Sequence, residues 1–415
     1  MFRRREFVSR TVRLMDFMDE STIAIIATAP IQRRNADVNF AFRPDSNFFY
    51  LTGFREAESV AVLMPGRSSG ECVLFCRERP PAEERWEGLR AGIEGALRDH
   101  GTDDAFPYAD IDAIMWGLLE SRQKIFYAKG VDSEFDARVM SWVKSLRSRL
   151  KHARFSIIAV DRILYEMRLY KRAAEVKAIR RAVDISASGH LRAMSSCRPG
   201  LREGDLEGEF LYECMRQGAR HTAYPTIVAI GNNASIYHYI ANKGVLKSGD
   251  MVLMDAGVEH SHYARDITRT FPVNGRFSER QRLVYELVHD PQERAIGCVA
   301  PGRNFDDAHE AGSHVIAAGL SELGVFSGRT TAREVRRSSA LFIPRRTGHW
   351  MGLDVHDVGD YRVTTRHPRK EWRNLVVSLE DDVVVPQDTC EVLSHALPKS
   401  VSALEELIGS ASVRA

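Results

Sequence analysis

The feature that most constrains the fold is a pair of aspartates carried by two neighbouring strand patterns. An apolar run at residues 252–254 ends at Asp255, and an alternating apolar and polar segment at residues 267–271 begins directly after Asp266. Gly257 and a polar patch lie between them, which favours a hairpin turn and would place the two carboxylates side by side. Carboxylates this close repel each other unless a proton or a metal ion offsets their charge. The pattern therefore predicts a metal site.

Length and composition are those of an ordinary soluble globular protein with two or three domains. The chain has 415 residues, of which 44% are hydrophobic and 27% are charged, and its formal net charge is +2. Because basic and acidic residues are interspersed, neither a nucleic-acid partner nor an anionic membrane surface is predicted. No apolar stretch is long enough to span a bilayer and none follows the basic N-terminus, so we expect a cytoplasmic location. The six cysteines lack zinc-site spacing and are expected to be buried free thiols.

Alternating strand and helix patterns predict an α/β domain over roughly the first 160 residues. A helical period at residues 3–20 opens the chain. One long amphipathic stretch follows the domain at residues 161–194, and we place the domain boundary near Tyr170. Between them the patterns predict strands at residues 22–27, 48–51, 59–64, 72–76 and 124–128, and a helix at residues 111–120.

The remainder of the chain contains a weak internal repeat. The first copy of the repeat, which starts at residue 203, continues into the aspartate hairpin. The second copy, which starts at residue 306, should therefore continue into a matching hairpin. Only one strand of it is evident, at residues 375–385, which include Glu380. The second hairpin is therefore predicted to be truncated. Both halves have the order helix, strand and histidine, namely residues 203–217, 226–230 and His238, then residues 306–323, 341–343 and His349.

Asp255, Asp266, His349 and Glu380 are the candidate metal ligands. Mixed carboxylate and imidazole ligands on strands suit manganese, iron, cobalt or zinc, and carboxylates that can bridge favour two ions. Either aspartate alone is more often a turn residue, but that reading is much weaker for a pair on adjacent strands.

His238 and His356 are candidate proton donors or oxyanion stabilisers. For each of them a structural histidine in a turn is an equally good interpretation. The chain has no nucleophile elbow, no phosphate-cradling loop and no dinucleotide fingerprint, so a serine hydrolase and a nucleotide enzyme are poor fits.

At these residues the chain resembles the Xaa-Pro aminopeptidase (aminopeptidase P) and prolidase family of pita-bread metallopeptidases. Residues 254–257 with 266–272 resemble the first metal strand pair of that family, residues 348–357 its histidine segment and residues 379–382 its last glutamate. Residues 43–54 resemble its N-terminal signature. The resemblance implies an α/β (α+β) fold, with an aminopeptidase P-type domain at residues 1–169 and a pita-bread catalytic domain at residues 170–415.

Carried over by position, the resemblance assigns roles to the candidate residues. The four candidate ligands would hold two divalent ions, most often Mn²⁺, with Asp266 and Glu380 bridging. His238 and His356 would contact the substrate and stabilise the tetrahedral intermediate. Trp86 resembles a tryptophan that reaches the active site of a neighbouring subunit, which implies a homo-oligomer, although a local packing anchor is the alternative.

The chain departs from the family pattern in the segment before Glu380. A strand that normally supplies a fifth ligand, a glutamate, is absent, and Glu371 beyond the gap is a doubtful substitute. Arg345 stands where a histidine is usual, and Ser378 where an arginine is usual. Losing a strand leaves backbone groups unpaired, at about 1 to 3 kcal/mol each, and losing a carboxylate leaves the metals under-neutralised.

Three hypotheses follow from the resemblance. The first is a metal-dependent aminopeptidase that removes the residue before a proline in the second position of a peptide. The second is a degenerate relative that binds peptide or a partner without cleaving it. The third, metal-free creatinase-like chemistry, is weaker because it has no need of the aspartate pair. The missing strand predicts fewer than two tightly bound metals and slow or no cleavage.

Overall fold

The computed structural model describes residues 2–149, 155–324, 347–359, 379–386 and 390–411. The chain forms two compact units, Met1–Tyr170 and Lys171–Ala415. Among the described residues, no helix combines the length and the apolar character needed to cross a bilayer. No cysteine is in a disulfide; Cys72, Cys76, Cys197 and Cys214 are buried as expected, whereas Cys298 and Cys390 are partly exposed.

The first unit is built on a six-stranded mixed sheet. Its central strands are almost wholly buried and read as continuous apolar runs, as expected for a sheet covered on both faces. The spatial order of the sheet is β6-β5-β4-β1-β7-β8, and a small hairpin of β2 and β3 lies outside it. The strands are β1 (Thr22–Ala27), β2 (Arg33–Asn35), β3 (Val38–Asn39), β4 (Val60–Leu63), β5 (Cys72–Cys76), β6 (Asp104–Pro107), β7 (Lys124–Phe126) and β8 (Ser156–Ile158).

Seven α-helices accompany this sheet in the described part of the first unit. Phe135, Val139 and Trp142 of the sixth helix pack with Met115 and Leu119 of the fifth in one core cluster with the strands. The helices are α1 (Arg4–Met15), α2 (Ser46–Thr52), α3 (Pro81–Glu87), α4 (Gly92–Asp99), α5 (Ile111–Leu119), α6 (Ser133–Arg149) and α7 (Asp161–Leu169).

Residues 48–51, predicted as a strand, belong to helix α2, so that prediction was wrong. The Asp45 carboxylate accepts a hydrogen bond from the Phe48 amide and caps the helix, and Gly53 ends it with a left-handed φ of 65°. A run of four apolar residues does not distinguish the two structures, and the capping residues decided between them.

The described part of the second unit begins with a long helix and carries three small antiparallel sheets. Two are three-stranded, with the orders β10-β11-β14 and β13-β12-β9, and the third is the pair β15-β16. The strands are β9 (His221–Thr222), β10 (Ile227–Ile230), β11 (Met251–Asp255), β12 (Val258–His260), β13 (Tyr263–Ala264), β14 (Thr268–Pro272), β15 (Val383–Val384) and β16 (Glu391–Val392). The helices are α8 (Ala173–Ser196), α9 (Glu203–Arg216), α10 (Glu279–Ile296), α11 (Phe305–Glu322) and a last helix, Val401–Ala411.

The predicted single amphipathic stretch at residues 161–194 is two helices, α7 and α8. The chain is extended at Tyr170 and Arg172, and the Glu175 side chain accepts a hydrogen bond from the Arg172 amide to cap the second helix. The predicted strand at residues 341–343 lies outside the described residues, as do the first four residues of the predicted strand 375–385. So do Arg345, Glu371 and Ser378.

Candidate metal centre

The two aspartates lie at the ends of paired strands, as the sequence predicts. In the register of β11 and β14, Asp255 is opposite Thr268, and Asp266 precedes that residue by two positions. The connection is longer than one turn, because β12 and β13 form a second hairpin within it. The backbone at Gly257 approaches the backbone at Arg265 so closely that a Cβ atom on residue 257 would lie 1.8 Å from the Arg265 carbonyl oxygen. Only glycine allows this approach, which draws the two carboxylates together.

Tyr224 lies between these carboxylates, and no sequence pattern had marked it as a candidate. Its hydroxyl is 2.7 Å from Oδ1 of Asp266 and is also hydrogen-bonded to Oδ1 of Asp255. The residue follows the short strand β9, and no pattern in its neighbourhood indicates this contact. Burial and the two carboxylates raise the pKa of Tyr224 well above its ordinary value, so its hydroxyl stays a donor.

His349 and Glu380 join the aspartates from distant parts of the chain. His349 Nε2 is 3.3 Å from Oδ2 of Asp266. Glu380 forms an antiparallel bridge with Thr268, its amide donating to the Thr268 carbonyl at 3.1 Å, which adds it to the edge of β14 opposite β11. The structure thus brings all four predicted ligands to one place.

The side chains fall into two groups whose candidate ligand atoms lie within 4.8 Å of one another. One group contains Asp255, Asp266 and Glu380, and the other contains Asp266, His349 and His356. Asp266 belongs to both, which is the arrangement expected of a ligand shared by two neighbouring ions. Partly buried carboxylate oxygens and imidazole nitrogens at these distances fit a divalent metal ion.

The remaining predicted site residues lie elsewhere or at the margin. His356 is exposed, and its ring meets that of His349 edge to face at 4.5 Å. His238 is exposed in a turn after the 3₁₀ helix Gly231–Ser235 and belongs to neither group. Trp86 lies on α3 in the first unit and is 89% exposed.

The electrostatics of the aspartate pair follow from crowding negative groups in a buried place. Burial, and then the charge of Asp266, raise the pKa of Asp255 to about 7. Burial also opposes ionisation of Asp266, but hydrogen bonds with His349 and Tyr224 outweigh it and hold its pKa below the ordinary value. Burial alone would lower the pKa of His349, whereas its hydrogen bond with Asp266 raises it. A divalent cation would offset the same negative charge.

Helix α8 supports the backbone directly after β11, the strand that ends at Asp255. The Nε2 atom of His190, a fully buried residue, donates to the carbonyl of Ala256 at 2.9 Å. The hydroxyl of Ser186 accepts a hydrogen bond from the Val258 amide at 3.1 Å. These contacts fix the backbone on either side of Gly257. The sequence placed both residues in a helix but gave no sign of their partners.

Two buried arginines flank the second aspartate and fix the segments that carry the other ligands. Arg265 donates to the Gly352 carbonyl at 3.2 Å, close to His349, and lies 3.4 Å from the Asp382 carboxylate. Arg269 donates to the Glu380 carbonyl at 2.7 Å and pairs with Asp381 at 2.6 Å. The carboxylates of Asp381 and Asp382 are both almost fully buried and each pairs with a different arginine.

Comparisons with known proteins agree with this architecture. Two family models match the chain, "Aminopeptidase P, N-terminal domain" at residues 7–127 and "Metallopeptidase family M24" at residues 177–391. The Xaa-Pro aminopeptidase of Escherichia coli is 34% identical over 433 positions, with 98% of each chain covered. The solved aminopeptidase PepP of Pseudomonas aeruginosa matches with a TM-score of 0.94 and 45% identity over 100% of both chains. Zn-substituted E. coli aminopeptidase P in complex with product matches with a TM-score of 0.93 and 34% identity over 99% of both.

These similarities confirm the predicted fold, an N-terminal domain followed by a pita-bread domain. The alignment with the E. coli relative has 433 positions, 18 more than the 415 residues of this chain. At least that many residues of the relative therefore have no counterpart here.

Proposed function

The chain belongs to metallopeptidase family M24, and we propose that it is a metal-dependent Xaa-Pro aminopeptidase. Its substrates are peptides with proline in the second position, from which it removes the N-terminal residue. One observation carries the proposal: Asp255, Asp266, His349 and Glu380 converge in a chain that is similar over its full length to named Xaa-Pro aminopeptidases. We further propose the division into an N-terminal domain at residues 1–169 and a catalytic domain at residues 170–415.

We propose that Asp255, Asp266, His349 and Glu380 would hold divalent metal, with Mn²⁺ as the first choice. When bound, the metal supplies Lewis-acid chemistry at the scissile carbonyl. Asp255 and Asp266 provide the negative charge that retains the cation, and the Tyr224 hydroxyl lies between them and donates to one carboxylate at a time.

The two histidines that are not ligands act on the peptide. His356 is exposed beside His349 and can donate a ring N–H to a substrate carbonyl oxygen as negative charge develops on it. His238 approaches the peptide from the turn after Gly231–Ser235. A neutral imidazole carries one N–H, so either ring can donate a hydrogen bond in this role.

The second candidate function is a degenerate homologue with little or no activity. It is favoured by the sequence between Tyr361 and Trp372, which lacks the glutamate strand pattern of the family. The 18 or more residues of the E. coli relative that have no counterpart in this chain are compatible with such a deletion. With the fifth carboxylate missing, the centre would hold fewer than two ions tightly, and the proton released during attack would lack its usual acceptor.

Metal analysis and a peptidase assay on the same protein distinguish the two functions. The full chain would be dialysed against Mn²⁺, analysed for bound metal and assayed with an Xaa-Pro peptide and a matched Xaa-Ala peptide. Two tightly bound ions and robust cleavage of the proline peptide would refute the hypothesis of a degenerate homologue. The variant Asp255→Asn should lose metal, whereas Asp290→Asn, at a side chain that is 70% exposed on α10, should not.

We also propose a cytoplasmic location and a homo-oligomeric assembly. The six unpaired thiols fit a reducing compartment. Trp86 and Leu89, which are 89% and 86% exposed, supply large apolar side chains suited to a contact between subunits. Sedimentation of the protein and of the variant Trp86→Ser tests the assembly: a monomeric wild-type chain would rule it out.

A further inference from the structure

Strand β10 is an edge strand, and one segment covers its free edge. We name residues 231–244, which follow β10 and carry His238, the strap. Because β10 pairs only with β11 among the described strands, its outward amides need other partners. The Ile230 amide donates to Oε1 of Glu203 at 2.9 Å, and the Val228 amide donates to Oδ1 of Asn242 at 3.1 Å. The edge is thus closed by side chains rather than by another strand.

Glu203, the first residue of α9, is fully buried and binds both ends of the strap. Oε1 accepts hydrogen bonds from the Ile230 amide and from Nδ2 of Asn233, each at 2.9 Å. Oε2 accepts from the Tyr239 hydroxyl at 2.8 Å and from the Gly244 amide at 2.7 Å. The N-terminal end of a helix favours a negative charge, and four donors replace the water that the carboxylate loses.

The backbone of the strap is shaped to reach this carboxylate. A Cβ atom at Gly244 would lie 2.8 Å from Oε1 of Glu203, so a side chain there would displace the contact. Asn242 is buried with a left-handed φ of 48°, which costs energy for a residue other than glycine. Its side chain offsets the cost by donating to the Thr226 carbonyl at 2.9 Å and to Glu207 at 2.8 Å.

These anchors return the strap toward the metal centre. In the register of β10 and β11, Ile230 is opposite Val252, whereas Ile227 is opposite Asp255. The strap leaves the sheet at the first of these positions, and Asn242 fastens it beside the second. His238 lies four residues before Asn242. Its neighbours Ile236, Tyr237 and Ile240 are all more than half exposed, so this part of the strap presents an apolar surface to solvent.

We propose that Glu203 is a positioning residue for the peptidase reaction. Its buried carboxylate locks the strap against β10, and the locked strap presents His238 and the apolar residues beside it to the peptide. The inference rests on the proposed function for the part that concerns the peptide. We call the attachment of the strap to β10 through the Glu203 carboxylate the clamp, and this part of the inference rests only on the contacts of Glu203. Glu203 belongs to neither group of candidate metal ligands and acts through the strap.

The variant Glu203→Gln tests the proposal, because it keeps the shape and replaces one acceptor oxygen by a donor. The matched control is Glu213→Gln, at another buried glutamate of α9 whose partners Arg216 and Gln217 belong to the end of the same helix. Manganese-loaded full chains would be compared by steady-state kinetics on an Xaa-Pro peptide. Glu203→Gln should lower kcat by about tenfold or more with KM changed by less than about threefold. Glu213→Gln should behave like the wild type.

The double variant with His238→Ala shows whether Glu203 works through the histidine. If it does, Glu203→Gln should cost about as much as His238→Ala, and the two together little more than either. Losses that multiply would overturn the proposal. Should Glu203→Gln fold poorly, Tyr239→Phe removes one of the four donors and should give a smaller loss in the same direction.

Amide hydrogen exchange separates this proposal from the proposed function. In Glu203→Gln, exchange should become about tenfold faster or more within residues 231–244 and stay unchanged in α10 and α11. Unchanged exchange in the strap would overturn the clamp whatever the activity. Faster exchange confined to the strap in a chain that cleaves no peptide would uphold the clamp and refute the peptidase.

Discussion

The hydroxyl of Tyr224 allows a direct test of how the aspartate pair is stabilised. It has one proton and two carboxylate neighbours, Asp255 and Asp266, so it donates to one of them at a time. The variant Tyr224→Phe removes the donor and keeps the ring. In the metal-free protein the pair would then face each other with less compensation for their charge.

The expected loss depends on whether a cation is present. A hydrogen bond to a charged group contributes about 1.5 to 3 kcal/mol, so the metal-free variant should lose about 2 kcal/mol in the free energy of unfolding. Once a divalent ion offsets the carboxylate charge, the bond should contribute like one between neutral groups, about 1 kcal/mol. The difference of about 1 kcal/mol appears in the metal equilibrium. Tyr224→Phe should therefore bind Mn²⁺ about fivefold more tightly than the wild type.

Urea unfolding followed by tryptophan fluorescence, with chelator and with saturating Mn²⁺, measures both states, and titration calorimetry measures the metal affinity. Tyr263→Phe is the matched control, since its hydroxyl donates to the buried Glu175 carboxylate at 2.8 Å and neither residue belongs to the ligand groups. It should lower stability equally with and without metal. If Tyr224→Phe does the same, or binds Mn²⁺ more weakly than the wild type, the reasoning fails and the hydroxyl has a direct role in holding metal.

Three further predictions concern the supports of the site. Gly257→Ala should cost more than about 3 kcal/mol in unfolding free energy and abolish tight Mn²⁺ binding, because a Cβ atom would meet the Arg265 carbonyl at 1.8 Å. Burial lowers the pKa of His190 to about 4, so the unfolded chain takes up a proton first as the pH falls from about 6.5. The stability advantage of the wild type over His190→Gln, measured by urea unfolding, should shrink by about 3 kcal/mol between pH 7 and pH 4. Arg269→Met should cost about 3 kcal/mol or more, because it breaks a buried ion pair with Asp381.

Each of these predictions has its own check. Gly208→Ala, in the exposed middle of α9 with open space around it, should raise stability by up to about 1 kcal/mol, so a loss there would mean that glycine substitution itself is harmful. A pH-independent gap between His190→Gln and the wild type would show that His190 is not held neutral. Full metal affinity in Arg269→Met would show that the Glu380 segment does not depend on this arginine.

The sequence predicted the parts of the fold that follow from local pattern. The buried runs of β1, β4 and β5 and the periodic helices α5, α9 and α11 lie within a few residues of their predicted positions. The strand prediction at residues 48–51 failed because a short apolar run has no periodicity that distinguishes a strand from a helix. There Asp45 and Gly53 determined the outcome, and both were visible in the sequence as capping residues.

The candidate site also contains residues that could be predicted from the sequence and residues that could not. Asp255 and Asp266 could be paired from the sequence because each lies beside one of two consecutive strand patterns, although the connection between those strands holds a second hairpin that was not predicted. His349 and Glu380 depended on the weak internal repeat and then on the family resemblance, since more than 80 residues separate them from the hairpin. Tyr224 and the support by His190 could not be predicted at all, because each contact depends on packing that no periodicity or spacing records.

The two halves of the site are supported unequally among the described residues, and this bears on the proposal that the second half lacks a strand. The aspartate half is held by a full strand register and by the close approach at Gly257. The Glu380 half has one backbone bridge to Thr268 and the guanidinium of Arg269, among the described residues. If the second half lacks a strand, the position of Glu380 should therefore be affected before the positions of the two aspartates. Metal affinity should fall more steeply when Arg269 is changed than when a support of the aspartate half, such as His190, is changed.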